Sequence, residues 1–347
     1  MYNVPMNKRK IKSKSKEIFR VLAFVLAFFI VLEALSLAIF SPRQASGFKN
    51  RLQNAYSFMD ENENTLQIAG FGNSDLYSGF VPLELWNEYG YTSTICASPN
   101  QSVNESIEFA RLVFEKHSPE LVIIETDMLY DEKPYSDSDI KKKGGIKLFL
   151  DRVKPDFFER HVEDIFSVFK FHNRWKLKSS NPSHDTLKTH GYRFSNKICT
   201  LNVKNYMVKT DEYEPIDAEK LYQLDAFVTL CRENNAKVLL VEMPTMSSWN
   251  YERHNAVEQY ARANGIAFLD MNLLYEQTGI SMTNCFRDEG HHLNYYSASA
   301  VTKYIGNYIS QNYEIKSAVL DETAEKWNDN YQKFLKQAKA EKGFEKV

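Results

Sequence analysis

The chain has 347 residues, a formal charge of −2, 25% charged side chains and 43% hydrophobic ones. Thirteen Gly, ten Pro and four Cys exclude collagen-like and disulfide-dense classes, and 23 Phe with 20 Tyr supply a core that a disordered chain lacks. The near-neutral balance gives no electrostatic reason to expect nucleic acid as a partner.

The charge is unevenly placed. Seven basic side chains (Lys8, Arg9, Lys10, Lys12, Lys14, Lys16, Arg20) and only Glu17 and Glu33 fall in the first forty residues, so the remainder carries a formal −7. Every one of those positives precedes Val21–Phe40, a run that is apolar except for Glu33 and Ser36. Twenty helical residues at ~1.5 Å each span roughly the hydrocarbon thickness of a bilayer. The positive-inside rule then puts residues 1–20 in the cytoplasm, 21–40 in the membrane as an anchor touching lipid, and the rest outside. A cleaved signal sequence ending near Ala45-Ser46 is the alternative, but the apolar run exceeds the usual signal core. Glu33 would face a protein partner or sit protonated in the outer half of the membrane.

Residues 41–64 are expected to form a juxtamembrane helix or linker, with Phe48–Glu63 helical. An α/β alternation follows over 65–313: strand Leu66–Phe71, helix Val81–Tyr89 stopped by Gly90, strand Tyr91–Ala97, helix Ser102–Lys116 and strand Leu121–Thr126. The last opens with a continuous apolar run of the kind a central parallel strand needs. Residues 131–215 break the rhythm and read as an insertion, with a helix expected near Phe157–Phe171. The alternation resumes with helix Asp217–Asn235, strand Lys237–Glu242, helix Glu252–Asn264, strand Ile266–Asp270 and helix Tyr296–Gln311. Residues 314–347 read as an exposed, charged amphipathic helix. The pattern predicts a three-layer α/β/α sandwich around a mostly parallel sheet, preceded by one transmembrane helix. Cys96, Cys199, Cys231 and Cys285 lack zinc-ligand spacing and form no disulfide framework.

Chemistry in such sheets gathers at the carboxyl ends of the strands. After the first strand stands Gly72-Asn73-Ser74-Asp75, where Ser74 either serves as an exposed nucleophile or, with Asp75, merely caps the next helix. Before the final helix stands Arg287-Asp288-Glu289-Gly290-His291-His292-Leu293-Asn294. It offers two imidazoles and two carboxylates, the parts a serine needs for its base and the base for its orienting acid. Adjacent histidines on one loop suit a metal poorly, and no metal or organic cofactor is expected.

Together these two segments resemble the SGNH (GDSL-type) hydrolase superfamily. The resemblance implies Ser74 as nucleophile and His292, followed by Leu293-Asn294, as base, with His291 its neighbour. Asp288 is the favoured acid, because Asp-x-Gly-x-His-Leu-Asn is similar to the loop of envelope members. Glu289, at the commoner spacing, stays the alternative. The family's Gly-x-Asn-Asp block is replaced here by Glu125-Thr126-Asp127, and its second block reads Ala97-Ser98-Pro99-Asn100-Gln101. Oxyanion donors are therefore sought at Asp75 and Ser98 and in the amide of Gln101. Asn73, Asn100, Asp127 and Trp249 are candidates for lining the substrate site. So are His172, Arg174 and Trp175, whose imidazole, guanidinium and indole suit sugar or phosphate.

The layout is similar to single-pass envelope proteins of alginate acetylation and teichoic-acid D-alanylation. It implies an extracytoplasmic serine esterase or O-acyltransferase working on an envelope glycan or polyol-phosphate polymer, beside a membrane-bound O-acyltransferase. The missing block leaves a catalytically silent, glycan-binding or scaffolding ectodomain as the other reading.

Overall fold

The computed structural model describes residues 8–38, 53–130, 189–204, 206–315 and 319–340. The chain divides into two compact units, one of residues 1–50 with 137–181 and the other of residues 51–136 with 182–347. In the first unit the described element is α1 (Lys8–Ala38), a single helix whose Lys16–Leu35 stretch is long and apolar enough to cross a membrane. The expected helix at Phe157–Phe171 and the residues His172, Arg174 and Trp175 lie outside the described residues.

The second unit holds a five-stranded sheet: β1 (Ile68–Gly72), β2 (Ser93–Ala97), β3 (Leu121–Glu125), β4 (Lys237–Glu242) and β5 (Ala267–Asp270). Their order is β2-β1-β3-β4-β5 and every pairing is parallel, with Ile68 opposite both Ser93 and Leu121. Strands β1 to β3 are buried along their whole length, which is why Leu-Val-Ile-Ile reads as an unbroken apolar run rather than an alternation.

Between the strands run α2 (Ser74–Gly79), α3 (Pro82–Tyr89), α4 (Val103–Lys116), α5 (Ala218–Glu233), α6 (Tyr251–Asn264), α7 (Tyr275–Thr278), α8 (Tyr295–Asn312) and α9 (Asp321–Ala340). Helices α2, α3, α8 and α9 pack together, while α4 packs on α5, giving the three layers. The punctuation follows local chemistry. Ser102 and Glu105 close a capping box at the start of α4, and Gly90 and Gly265 end α3 and α6 in the left-handed conformation.

Two expectations change. Gln53–Asp60 is a 3-10 helix packed on edge strand β2, not a free linker. Ser57 bonds to Thr94 Oγ1 at 2.8 Å and to the Ile95 carbonyl at 3.0 Å, and the Ile95 N–H donates to the His190 carbonyl at 2.9 Å. This edge is thereby covered rather than left to pair with another chain. Gly191 makes the close approach possible: its φ is +95°, and a Cβ there would stand 2.1 Å from the Ile95 carbonyl oxygen. Helix α9 is not an exposed tail either. Trp327 and Phe334 are buried, Trp327 stacks on His190 at 3.8 Å, and Trp86 donates to Asn328 at 2.9 Å. All four cysteines are free thiols, three of them buried.

Candidate active site

In the order β2-β1-β3-β4-β5 the direction of winding reverses between β1 and β3, so the crevice lies at their carboxyl ends. Gly72 ends β1 there, and its lack of a side chain lets the chain pass Glu125 at the end of β3. A Cβ on Gly72 would come 2.5 Å from that of Glu125. The buried Glu125 carboxylate ties the two strand ends together, accepting the Asn73 N–H at 3.3 Å and the Asp127 N–H at 2.8 Å.

Helix α2 starts at Ser74, and its cap is Asn73, whose Oδ1 accepts the Asp75 N–H at 2.9 Å. Asn73 Nδ2 donates to Asp127 Oδ2 at 2.7 Å, and both side chains are buried. The cap is thus filled by a residue other than Ser74. Ser74 is half-buried while Phe71–Asn73 and Asp75–Phe80 are buried, and neither its hydroxyl nor its N–H enters a hydrogen bond among the described residues.

The second segment is a loop closed at its base by antiparallel bridging of Phe286 to Leu293 and by the Arg287 N–H donating to the His292 carbonyl at 2.9 Å. Within it His292 Nδ1 lies 2.5 Å from Asp288 Oδ2, while Asp288 Oδ1 accepts the N–H groups of His291 and His292, each at 3.0 Å. On its other side, His292 Nε2 lies 3.8 Å from Asp75 Oδ1, at the start of α2. The Tyr77 ring lies parallel to the imidazole, 7° apart in plane and 6.4 Å between centres. Glu289 is exposed and makes none of these contacts; His291 is exposed, with its Nδ1 2.7 Å from Ser247 Oγ.

The electrostatics favour a neutral imidazole. Burial lowers the His292 pKa, and Arg287 and His291 add to that against the opposing pull of Asp288. Burial would raise the Asp288 pKa, but the His292 side chain and the two loop N–H groups overcome it and hold the carboxyl below its usual value. Glu242, at the end of β4, goes the other way. It is fully buried, and that burial, with Glu125, Asp127 and Asp270 nearby, pushes its pKa up despite a 2.6 Å bond from Thr126.

The remaining candidates are placed as follows. Ser98 is buried and donates to Gln101 Oε1 at 3.0 Å; Gln101 Nε2 is bonded to the Cys96 carbonyl at 2.7 Å and to Ser106 at 3.0 Å. Those bonds close the turn between β2 and α4 and occupy the amide. Asn100 is exposed with φ at +49°. Trp249 is buried, donating to Asp270 at 2.9 Å, and is shared with a cleft of about 260 Å³ that Lys204, Tyr206, Met246 and Tyr251 also line. The carboxylates of Asp75, Glu125 and Asp127 each offer an oxygen within 4.8 Å of the others. Sequence reasoning did not single out Tyr77 and Arg287, which act on His292, or Arg193, which packs on Tyr77. Arg287 lies in the motif, but Arg193 sits in the unpatterned insertion, where nothing in the sequence marks it.

No protein-family model matches the chain, and no curated protein matches it in sequence. Among solved structures it is similar to a GDSL-like lipase from Bacteroides thetaiotaomicron VPI-5482, at 12% identity over 70% of this chain and 87% of that one, with a TM-score of 0.33. It is also similar to a lipase/acylhydrolase from Enterococcus faecalis, at 8% identity over 73% of this chain and 100% of that one, with a TM-score of 0.37. Values this low decide nothing about the chain, whose architecture rests on its own strand pairing.

Proposed function

We propose that the chain is an SGNH-type serine esterase or O-acyltransferase, anchored by α1 with its catalytic unit outside the cytoplasm, that acts on acyl groups of an envelope polysaccharide or teichoic-acid-like polymer. The observation that carries this reading is the position of His292. Its Nδ1 is held by Asp288 and its Nε2 faces Asp75 in the first turn of α2, the residue after Ser74, whose hydroxyl enters no hydrogen bond among the described residues. His292 accepts the Ser74 proton as the oxygen attacks the acyl carbonyl. Asp288 fixes the tautomer and stabilises the imidazolium. The unbonded Ser74 N–H is the donor best placed for the oxyanion, since the Asp75 N–H is already given to Asn73. His292 then returns the proton to the leaving alcohol, and water or a polymer hydroxyl resolves the acyl-enzyme. The one-sided basic flank of α1 supports the topology, and a membrane-bound O-acyltransferase is the partner that such an anchor suits.

The occupied Gln101 amide favours the second reading, a silent ectodomain that binds glycan or scaffolds that complex, because both of its bonds are made within the turn after β2. A fluorophosphonate probe separates the two. An activated Ser74 becomes labelled in the full-length protein and Ser74→Ala does not. Absence of label on the folded wild type would leave the silent ectodomain.

A further inference from the structure

Two arginines meet at Tyr77 and Ser78, next to the ring that lies parallel to the proposed catalytic histidine, and neither is used by the mechanism above. Residues 193–201 run beside the site, pinned by the Arg193 N–H to the Tyr77 carbonyl at 2.8 Å and by Cys199 to the Phe286 carbonyl at 2.8 Å. The exposed Arg193 guanidinium sits 5.6 Å from the centre of the Tyr77 ring, and its Nη1 is 3.4 Å from the Tyr77 hydroxyl. Arg287 reaches the same place from the catalytic loop, donating to the Arg193 carbonyl at 3.0 Å and to Ser78 Oγ at 2.9 Å. Tyr77 itself lies against His292. Two guanidinium groups and the imidazole therefore gather around one buried aromatic ring.

The partners of these arginines are all neutral oxygens. Arg253, by contrast, meets the Glu214 carboxylate through two nitrogens at 2.9 and 3.0 Å, and Arg262 meets Glu258 at 2.7 Å. Among the described residues neither Arg193 nor Arg287 has a carboxylate oxygen within 4.0 Å. Of the two acids that follow Arg287 in sequence, Asp288 is engaged by His292 and Glu289 is exposed, with no oxygen within 4.0 Å of either guanidinium. Arg287 is half-buried, where an uncompensated cation is costly and a passing anion is held well. A guanidinium has five N–H donors, and the contacts above use two on Arg287 and one on Arg193. Among the described residues the remaining donors meet no hydrogen-bond partner, and their fork suits a phosphate or a carboxylate.

We infer that Arg193 and Arg287 form an anion-binding subsite beside Ser74, so that the preferred substrate carries a phosphate or carboxylate next to its scissile acyl ester. The inference rests on the esterase reading for where the ester lies, but the anion site itself does not. It narrows the polymer to one that is acidic, and it makes Tyr77 the floor between the anion and the catalytic imidazole.

The test uses the full chain in detergent with three acetate esters: neutral p-nitrophenyl acetate, 4-acetoxybenzoate and 4-acetoxyphenyl phosphate. Wild type is expected to show a lower KM for the anionic esters, and Arg193→Ala to raise the anionic-to-neutral KM ratio about tenfold, the size of one lost charge-assisted contact. Arg287→Lys, which keeps the charge but loses the fork, is expected to raise it less, and added salt to raise it in wild type. The carboxylate and phosphate arms tell which anion is preferred. In parallel, calorimetry follows phenyl phosphate and benzoate binding to Ser74→Ala with and without Arg193→Ala. Arginine-dependent binding with no ester turnover would sink the esterase reading and keep the anion site. Equal KM values for all three esters, with no anion bound by Ser74→Ala, would overturn the anion site and leave the esterase standing.

Discussion

On the esterase reading, Ser74 owes its reactivity to what its neighbours take over. Asn73 supplies the helix cap, Glu125 binds the Asn73 N–H, and Ser74 is left half-buried at the start of α2, whose next residue, Asp75, lies 3.8 Å from His292 Nε2. The geometry also separates the two candidate acids, since Asp288 holds both the ring and the backbone of His292 whereas Glu289 faces solvent. Asp288→Asn is therefore expected to lower kcat by about 10³–10⁴, as loss of the orienting acid does elsewhere, and Glu289→Gln to change it less than about twofold. Steady-state kinetics on the two purified variants decides between them. Because burial lowers the His292 pKa, kcat/KM should rise with pH to a midpoint below 6.5 and be flat by neutrality. A pH–rate profile with its midpoint above 7 would deny His292 the role of base. The Ser74 and His292 segments that the fold brings together were legible in the sequence because each is a local cluster. The cap identity, the spent Gln101 amide and the arginines were not, because each depends on which loop lies against which.

At the scale of elements, strands and helices followed from apolar runs and stop signals. Lys237–Glu242 is the strand expected, and Gly90 and Gly265 end the helices they were expected to end. The failures share one cause. Gln53–Asp60 and α9 look amphipathic and polar in isolation, and only tertiary contacts reveal that they close one edge of the molecule. Their junction is an ion-pair cluster: Glu61 lies 3.2 Å from His190 Nδ1 and 3.3 Å from Lys326 of α9, with Trp327 stacked on the imidazole. Burial pushes the Glu61 pKa up, but His190 and Lys326 outweigh it and pull the carboxyl down to about 2 from 4.5. A depressed acid stabilises the fold above its unfolded pKa, so this contribution is whole above pH 4.5 and is lost as pH falls toward 2. The shift corresponds to about 3 kcal/mol at neutral pH. Denaturant titrations of wild type and Glu61→Gln should differ clearly at pH 7, differ much less at pH 2.5 and converge only below pH 2. A constant difference across that range would contradict the cluster's role.

For the whole molecule, the α/β alternation implied a parallel sheet, while the placing of β3 between β1 and β4, which fixes the crevice between β1 and β3, came from pairings across 50 or more residues. That order brings the Ser74 turn and the Glu125–Asp127 turn side by side, and the loop before α8 completes the site. The N-terminal charge asymmetry was equally plain in the sequence, since seven cations and an apolar run need no tertiary context. If α1 anchors the chain, the full-length protein stays with membranes through an alkaline carbonate wash and a variant lacking residues 8–38 is released. Release of the intact chain would argue against an anchor. The central claim is that Ser74 is an activated nucleophile, and intact-mass and peptide analysis after fluorophosphonate treatment of the full-length protein tests it most directly. The expected result is one adduct on the peptide containing Ser74, absent from Ser74→Ala and strongly slowed in His292→Gln. A folded wild type that takes no adduct, or takes it on another serine, would contradict the account.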